Sequence, residues 1–205
     1  MTKVKNIVFD MGNVLLEWNA RKNIERVEPN PQRADILQQE IFTSGVWEKQ
    51  DTADLTLDQA VELVKSRLDE SYHAAIEQIF KDWYHHTEIY RDVQDFAIQL
   101  SQQGYAIYIL SNTSDVYYAI EEAGLLPISQ VLAGKVLSFE EKCMKPDPAI
   151  FQILFDRYQL SPAESVFIDD IAGNIQVAES LGMTGIQCQN SQQVIADLQK
   201  LLGIS

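Results

Sequence analysis

The chain has 205 residues, 46% of them hydrophobic, and its 30 acidic against 16 basic side chains give a formal net charge of −14. That is enough apolar material for one large domain, or a domain carrying an insert, and it excludes a disordered chain. The acidic balance repels the phosphates of nucleic acids and anionic membranes, so neither is expected as a partner. Cys143 and Cys188 lie far apart without metal-ligand spacing and suit a reducing compartment.

The first predicted element is a short apolar strand from Val4 to Phe9, buried on both faces as in a parallel sheet. It stops at Asp10, too short for an export signal or a membrane span, so cytoplasmic residence is predicted. From Glu17 to about Tyr90 the period is helical: "ADILQQEIF", "LDQAVELVKSRL" and "HAAIEQIFKDWYHH" repeat apolar residues three and four apart, with helix starts at Asn30-Pro31 and Thr56. After Arg91 helices and strands alternate. "VQDFAIQLSQQ" is a helix, "YAIYIL" a strand, "SDVYYAIEEAG" a helix, and "DPAIFQILFDRY" a helix with Asp147 as N-cap. "SVFID" and "MTGIQC" are strands, each followed by a helix. The pattern predicts an α/β fold: a doubly wound, Rossmann-like parallel sheet core formed by residues 1–15 and 91–205, with a helical cap, residues 16–90, inserted after the first strand.

Several of the predicted strands end in polar residues: Asp10; Ser111, Asn112 and Thr113; Asp169 and Asp170. Parallel sheets bind ligands beyond the carboxyl ends of their strands, so these residues are expected to share one crevice, with Lys145 of "KCMKPDP" beside it. Three carboxylates in one crevice repel unless a cation lies between them, and hard oxygen ligands suit Mg2+ together with a substrate phosphate. Lys145 and the hydroxyl of Ser111 or Thr113 then hold phosphate oxygens, and Asp10 attacks phosphorus to give an aspartyl-phosphate that water hydrolyses.

The segments "VFDMGNV", "ILSNT", "KPDP" and "FIDDIAGN" resemble, in order and spacing, the four motifs of the haloacid dehalogenase (HAD) superfamily, specifically its phosphatases with a helical cap after the first motif. The wording is similar to a bacterial branch that includes an α-glucose-1-phosphate phosphatase. The resemblance implies a magnesium-dependent phosphatase of a small phosphorylated metabolite, a sugar phosphate by that branch. It makes Asp10 the nucleophile and a metal ligand, with the Gly12 carbonyl as another ligand. It assigns Ser111 and Asn112 to the phosphoryl group and Lys145 to both Asp10 and phosphate. Asp170 would ligate the metal directly, Asp169 through water, and Asn174 would assist. A 2-haloacid dehalogenase, a phosphomutase of the same superfamily and a non-catalytic phosphate-binding module are the alternatives.

The sequence departs from the family at Gly12, where most of these phosphatases carry a second Asp as general acid and base. Glu17 or water is the expected substitute. In the cap, "SGVWEKQDTADLT" (residues 44–56) reads as a helix-loop-helix elbow near the substrate. Trp47, with Trp18 by the hinge, would line the leaving-group pocket or pack the cap core. His85 and His86 are adjacent on a helix and face apart, so no metal site is expected there. Trp83 and the Tyr117-Tyr118 pair are assigned to packing.

Overall fold

A computed structural model of the chain describes residues 3–204. Five strands form one parallel sheet: β1 (Asn6–Phe9), β2 (Ala106–Ser111), β3 (Leu132–Leu137), β4 (Ser165–Asp169) and β5 (Thr184–Gln187), in the order β3-β2-β1-β4-β5. The central strands are apolar between their polar ends because both of their faces are covered. Ile7, Phe9, Ile107, Ile109, Val166 and Ile168 belong to one core. The residues between them, Val8, Tyr108, Leu110 and Phe167, belong to the other.

Five helices, α1 (Ala20–Val27), α2 (Pro31–Leu37), α3 (Val46–Asp51), α4 (Leu57–Lys65) and α5 (His73–Lys81), precede β2 and share a separate core that includes Ile24, Leu37, Ile41, Val61, Ile76 and Phe80. A stretch of π-helix, Gln38–Thr43, extends α2. Local chemistry fixes the helix starts. Asn30 accepts from the Arg33 amide ahead of Pro31, and Thr56 and Gln59 form a reciprocal capping box. The helical layer leaves and rejoins the sheet through two adjacent connections. The Glu17 amide donates to the Glu88 carbonyl at 2.8 Å, and Leu16 bridges Ile89 antiparallel.

Around the sheet, α6 (Arg91–Gln102), α7 (Val116–Glu122) and α11 (Ser191–Leu202) cover one face, and α9 (Pro148–Tyr158) and α10 (Ala172–Ser180) cover the other. A short helix, α8 (Ser138–Glu141), follows β3.

Strand β3 was not among the expected elements. Its sequence, LAGKVL, buries only Val136 and Leu137 because it lies at the sheet edge, so its apolar signal is weak. Gly134 in it is a matter of space. A Cβ there would lie 2.2 Å from the ring of Tyr158, whose hydroxyl accepts from the Lys135 amide and donates to the Lys135 carbonyl.

Candidate active site

The strand order puts a topological switch point between β1 and β4. From β1 the chain steps outward through β2 and β3, then crosses back to β4 on the other side. A ligand crevice is expected at the carboxyl ends of that pair. Asp10 immediately follows β1, its amide donating to the Ile168 carbonyl of β4 at 2.8 Å, and Asp169 is the last residue of β4. Carboxylate oxygens of Asp10, Asp169 and Asp170 lie within 4.8 Å of one another.

Lys145 joins this group from the segment between α8 and α9. Its buried ammonium lies 2.9 Å from Asp10 Oδ1 and 2.7 Å from Asp169 Oδ2, and it donates to the Leu110 carbonyl at 2.9 Å. A lysine has three N–H donors, and here three acceptors take them. Lys145 thus clamps Asp10 to Asp169 at the cavity floor. Burial alone would lower its proton affinity, but Asp10 and Asp169 more than offset this, so Lys145 is held above the usual range and stays charged.

Asn112 lines the cavity, and its carboxamide binds the Lys145 segment: Oδ1 accepts from the Lys145 amide and Nδ2 donates to the Lys145 carbonyl, both at 2.8 Å. It therefore holds the Lys145 backbone in place. Of the two candidate hydroxyls, Thr113 Oγ1 is tied to the Ser114 carbonyl, whereas Ser111 Oγ is buried without any partner. An orphaned buried hydroxyl costs free energy until something accepts from it, which keeps Ser111 as the candidate phosphate donor.

The two adjacent carboxylates have different surroundings. Asp169 is fully buried and accepts from the Ile171 amide, from Asn174 Nδ2 at both oxygens, and from Lys145. Asp170 is half-buried and takes one side-chain hydrogen bond, from Asn13 Nδ2 at 2.9 Å. Asn13 was not singled out in the sequence. It sits in the left-handed region at φ 54°, which Asn tolerates, and its Oδ1 accepts from the Trp18 amide while its carbonyl accepts from the Cys188 thiol. The Gly-Asn pair after the strand was the only sequence signal for it. Burial pushes Asp10 up to about 6, against the pull of Lys145 and with a further push from Asp169. Burial also raises Asp170, with Asn13 opposing.

A cavity of about 290 Å³ opens over this cluster, near the low end of the ~300–1,000 Å³ usual for small-molecule sites. Its floor comes from the sheet: Asp10, Gly12, Asn112, Thr113, Lys145 and Asp170. Its roof comes from the helical layer: Trp47, Glu48 and Asp51 of α3, with Trp83. Trp18 stands between them, its ring centroid 4.8 Å from Trp47 and 4.6 Å from Trp83. Trp47 therefore lines the cavity and also packs in the cap core against Phe80.

Trp83, assigned to packing from its sequence, lines the cavity as well, with its indole N–H buried and unpartnered. Asp51 was missed too. It is a buried acid at the end of α3, raised to about 8 by burial first and then by Glu48 and Asp10. Only its place in the elbow hinted at it. Glu17 is not among the residues lining the cavity, and its carboxylate is paired with the exposed Lys22 at 2.6 Å. His86 pairs with Asp82 at the surface.

The fold recurs in known proteins. A solved HAD family enzyme from Bacteroides thetaiotaomicron, in complex with magnesium and inorganic phosphate, matches with a TM-score of 0.74 at 21% identity, over 91% of this chain and 94% of that one, a likeness of fold. The D-ribitol-5-phosphate phosphatase of Bacteroides thetaiotaomicron is 23% identical over 209 residues, 97% of this chain and 98% of its own. Acyl-CoA dehydrogenase family member 10 of Mus musculus is 32% identical over 106 residues, which is 51% of this chain. The chain spans 10% of that protein's length and 31% of a second mouse relative's. Among the described residues no helix is long and apolar enough to cross a membrane. The sequence profile that fits residues 4–182, from β1 through the whole acidic cluster to α10, is that of the haloacid dehalogenase-like hydrolases, and the chain belongs to that family.

Proposed function

We propose that the chain is a magnesium-dependent phosphatase that hydrolyses a small phosphorylated metabolite, a sugar phosphate, through an aspartyl-phosphate. One observation carries this reading: a buried carboxylate, Asp10, at the switch point of a parallel sheet, held by the Lys145 ammonium and opening onto the cavity. The donor set fits magnesium. Three carboxylates with oxygens within 4.8 Å of one another face a single ammonium, and all are hard oxygen donors. Asp10, Asp170 and the Gly12 carbonyl would hold the ion. Asp169, held by Lys145, Asn174 and the Ile171 amide, would support it through water. When bound, magnesium supplies the positive charge that lets an anionic phosphoryl group approach an anionic nucleophile.

The residues of the chain divide the remaining work. Lys145 keeps Asp10 ionised and fixes its orientation against Asp169. An oxygen of Asp10 attacks phosphorus as the bond to the leaving-group oxygen breaks. The hydroxyl of Ser111 donates to a phosphoryl oxygen and so gains the partner it lacks. Water then attacks the aspartyl-phosphate and regenerates the Asp10 carboxylate. The tryptophans of the roof exclude bulk water and give the apolar face of a sugar a surface to pack on. The ribitol phosphatase of similar length supports the sugar-phosphate class.

The test is turnover of p-nitrophenyl phosphate with magnesium, for the natural chain and for Asp10→Asn. The substitution is expected to abolish hydrolysis while the far-UV spectrum and unfolding midpoint stay those of a folded protein. Undiminished turnover by folded Asp10→Asn protein would refute the covalent route.

A further inference from the structure

The phosphatase reading leaves one task without an owner. A departing alkoxide needs a proton, and the water that opens the aspartyl-phosphate must lose one. The loop after β1 has no side chain for this at Gly12. That gap is not forced by the backbone: φ at Gly12 lies outside the left-handed region, and a Cβ there would make ordinary contact with Trp18 Cβ at 3.4 Å. The proton must come from elsewhere in the cavity wall.

Four carboxyl groups line the cavity: Asp10, Asp170, Glu48 and Asp51. Asp10 is occupied as nucleophile and Asp170 as metal ligand. Glu48 is exposed to solvent at its rim. Asp51 is the remaining one. It ends α3 on the roof, opposite Asp10 on the floor, with only 9% of its surface exposed. No side-chain hydrogen bond or ion pair occupies it among the described contacts, unlike Glu17, whose carboxylate is bound to Lys22.

We propose that Asp51 is the general acid and base of this enzyme, delivered from the helical cap to the leaving-group oxygen in place of the carboxylate missing at Gly12. The proposal rests on the aspartyl-phosphate reading. In the first half-reaction Asp10 forms the new P–O bond, the old P–O bond breaks, and the Asp51 proton goes to the leaving oxygen, giving a neutral alcohol and an Asp51 carboxylate. In the second, that carboxylate takes a proton from the attacking water as the aspartyl-phosphate is cleaved. Phosphate leaves, Asp10 is again a carboxylate and Asp51 is again an acid. The surroundings suit both halves. Burial, with Glu48 on its own helix and Asp10 across the cavity, holds the Asp51 proton on at neutral pH, and the same groups make its carboxylate a competent base. Lys145, the cation of the floor, is spent on Asp10 and Asp169.

The test compares two probes on the magnesium-loaded enzyme: glycerol 3-phosphate, whose alkoxide leaves poorly, and 2,4-dinitrophenyl phosphate, whose phenolate needs no proton. Asp51→Asn is expected to lose ~10²–10⁴-fold with glycerol 3-phosphate. With dinitrophenyl phosphate it should give a first turnover at the natural rate, seen as a burst of phenolate matching the enzyme concentration, followed by slow release as the phosphoenzyme accumulates. Asp51→Ser, smaller and without an amide to bury, should repeat the pattern. Equal losses on both probes in the first turnover would show that Asp51 acts in binding or folding, and an undiminished rate with glycerol 3-phosphate would show another donor; either overturns the proposal. Failure of the underlying reading looks different: Asp10→Asn would then still release phenolate.

Discussion

Asp51 makes a prediction about stability that is separate from catalysis. Its carboxyl lies at 3.8 in the unfolded chain and at about 8 in the fold, raised by burial. A group whose folded value is raised favours the native state at low pH and loses that contribution as pH climbs toward the folded value. At pH 7 the unfolded chain carries Asp51 ionised, while the fold must hold a proton on it. At ~1.4 kcal/mol per pH unit this costs on the order of 4 kcal/mol at pH 7 and on the order of 2 kcal/mol at pH 5. Asp51→Asn removes the titration and keeps the shape. The variant should gain stability over the natural chain by ~3 kcal/mol more at pH 7 than at pH 5, and a constant cost for burying the amide cancels from that difference. Urea unfolding of both proteins, metal-free, at pH 5, 6, 7 and 8 measures it. Parallel stability curves across that range would refute the claim that Asp51 is folded as an acid.

Four further outcomes follow from the clamp and the cavity. Asp170→Ala should raise the magnesium concentration needed for half-maximal turnover sharply with little change in unfolding midpoint, because Asp170 is half-buried and holds few partners. Asp169→Ala should instead cost about 3–5 kcal/mol of stability, since it leaves the buried Lys145 short of a partner; titration of activity with magnesium and urea melts separate the two. Lys145→Met removes the cation that holds Asp10 down, so the acidic limb of kcat/KM should move to higher pH in a rate profile, and an unmoved limb would show that Asp10 does not depend on Lys145. Trp83→Phe keeps the packing and deletes the unpartnered N–H, so it should raise KM for a polyol phosphate while leaving KM for p-nitrophenyl phosphate nearly unchanged.

What was legible in the sequence divides along physical lines. Strand ends were readable because central parallel strands are apolar on both faces, so a polar residue at their end stands out: Asp10, Ser111 and Asp169 were found this way. β3 was missed because an edge strand buries one short stretch and tolerates Gly134 and Lys135. The identities at the site were readable, but their bonds were not. Neither Asn112 holding the Lys145 backbone nor the contacts of Lys145 with three acceptors has any signature in composition or spacing, because both depend on segments distant in the chain meeting at one point. Glu17 illustrates the same limit. Its nearness in sequence to Asp10 suggested nearness in space, but it is not among the residues lining the cavity, and its carboxylate pairs with Lys22.

Asp51 and Trp83 were hidden by their surroundings in the sequence. Each lies in a helical segment whose apolar period already accounts for its neighbours, and only the docking of one core against the other turns them toward Asp10. That docking has a mechanistic consequence under the Asp51 proposal. An acid attached to the floor, next to the nucleophile, is present whether the cap is open or closed. An acid carried by α3 is in place only when the roof lies over the cavity, so proton transfer and exclusion of water become one event. Phosphoryl transfer to bulk water through an open site then lacks its acid, and a substrate too small to draw the roof down gains little from Asp10 alone. Moving the carboxylate from position 12 to the cap thus makes the chemical step itself depend on the fit of the leaving group beneath Trp47 and Trp83.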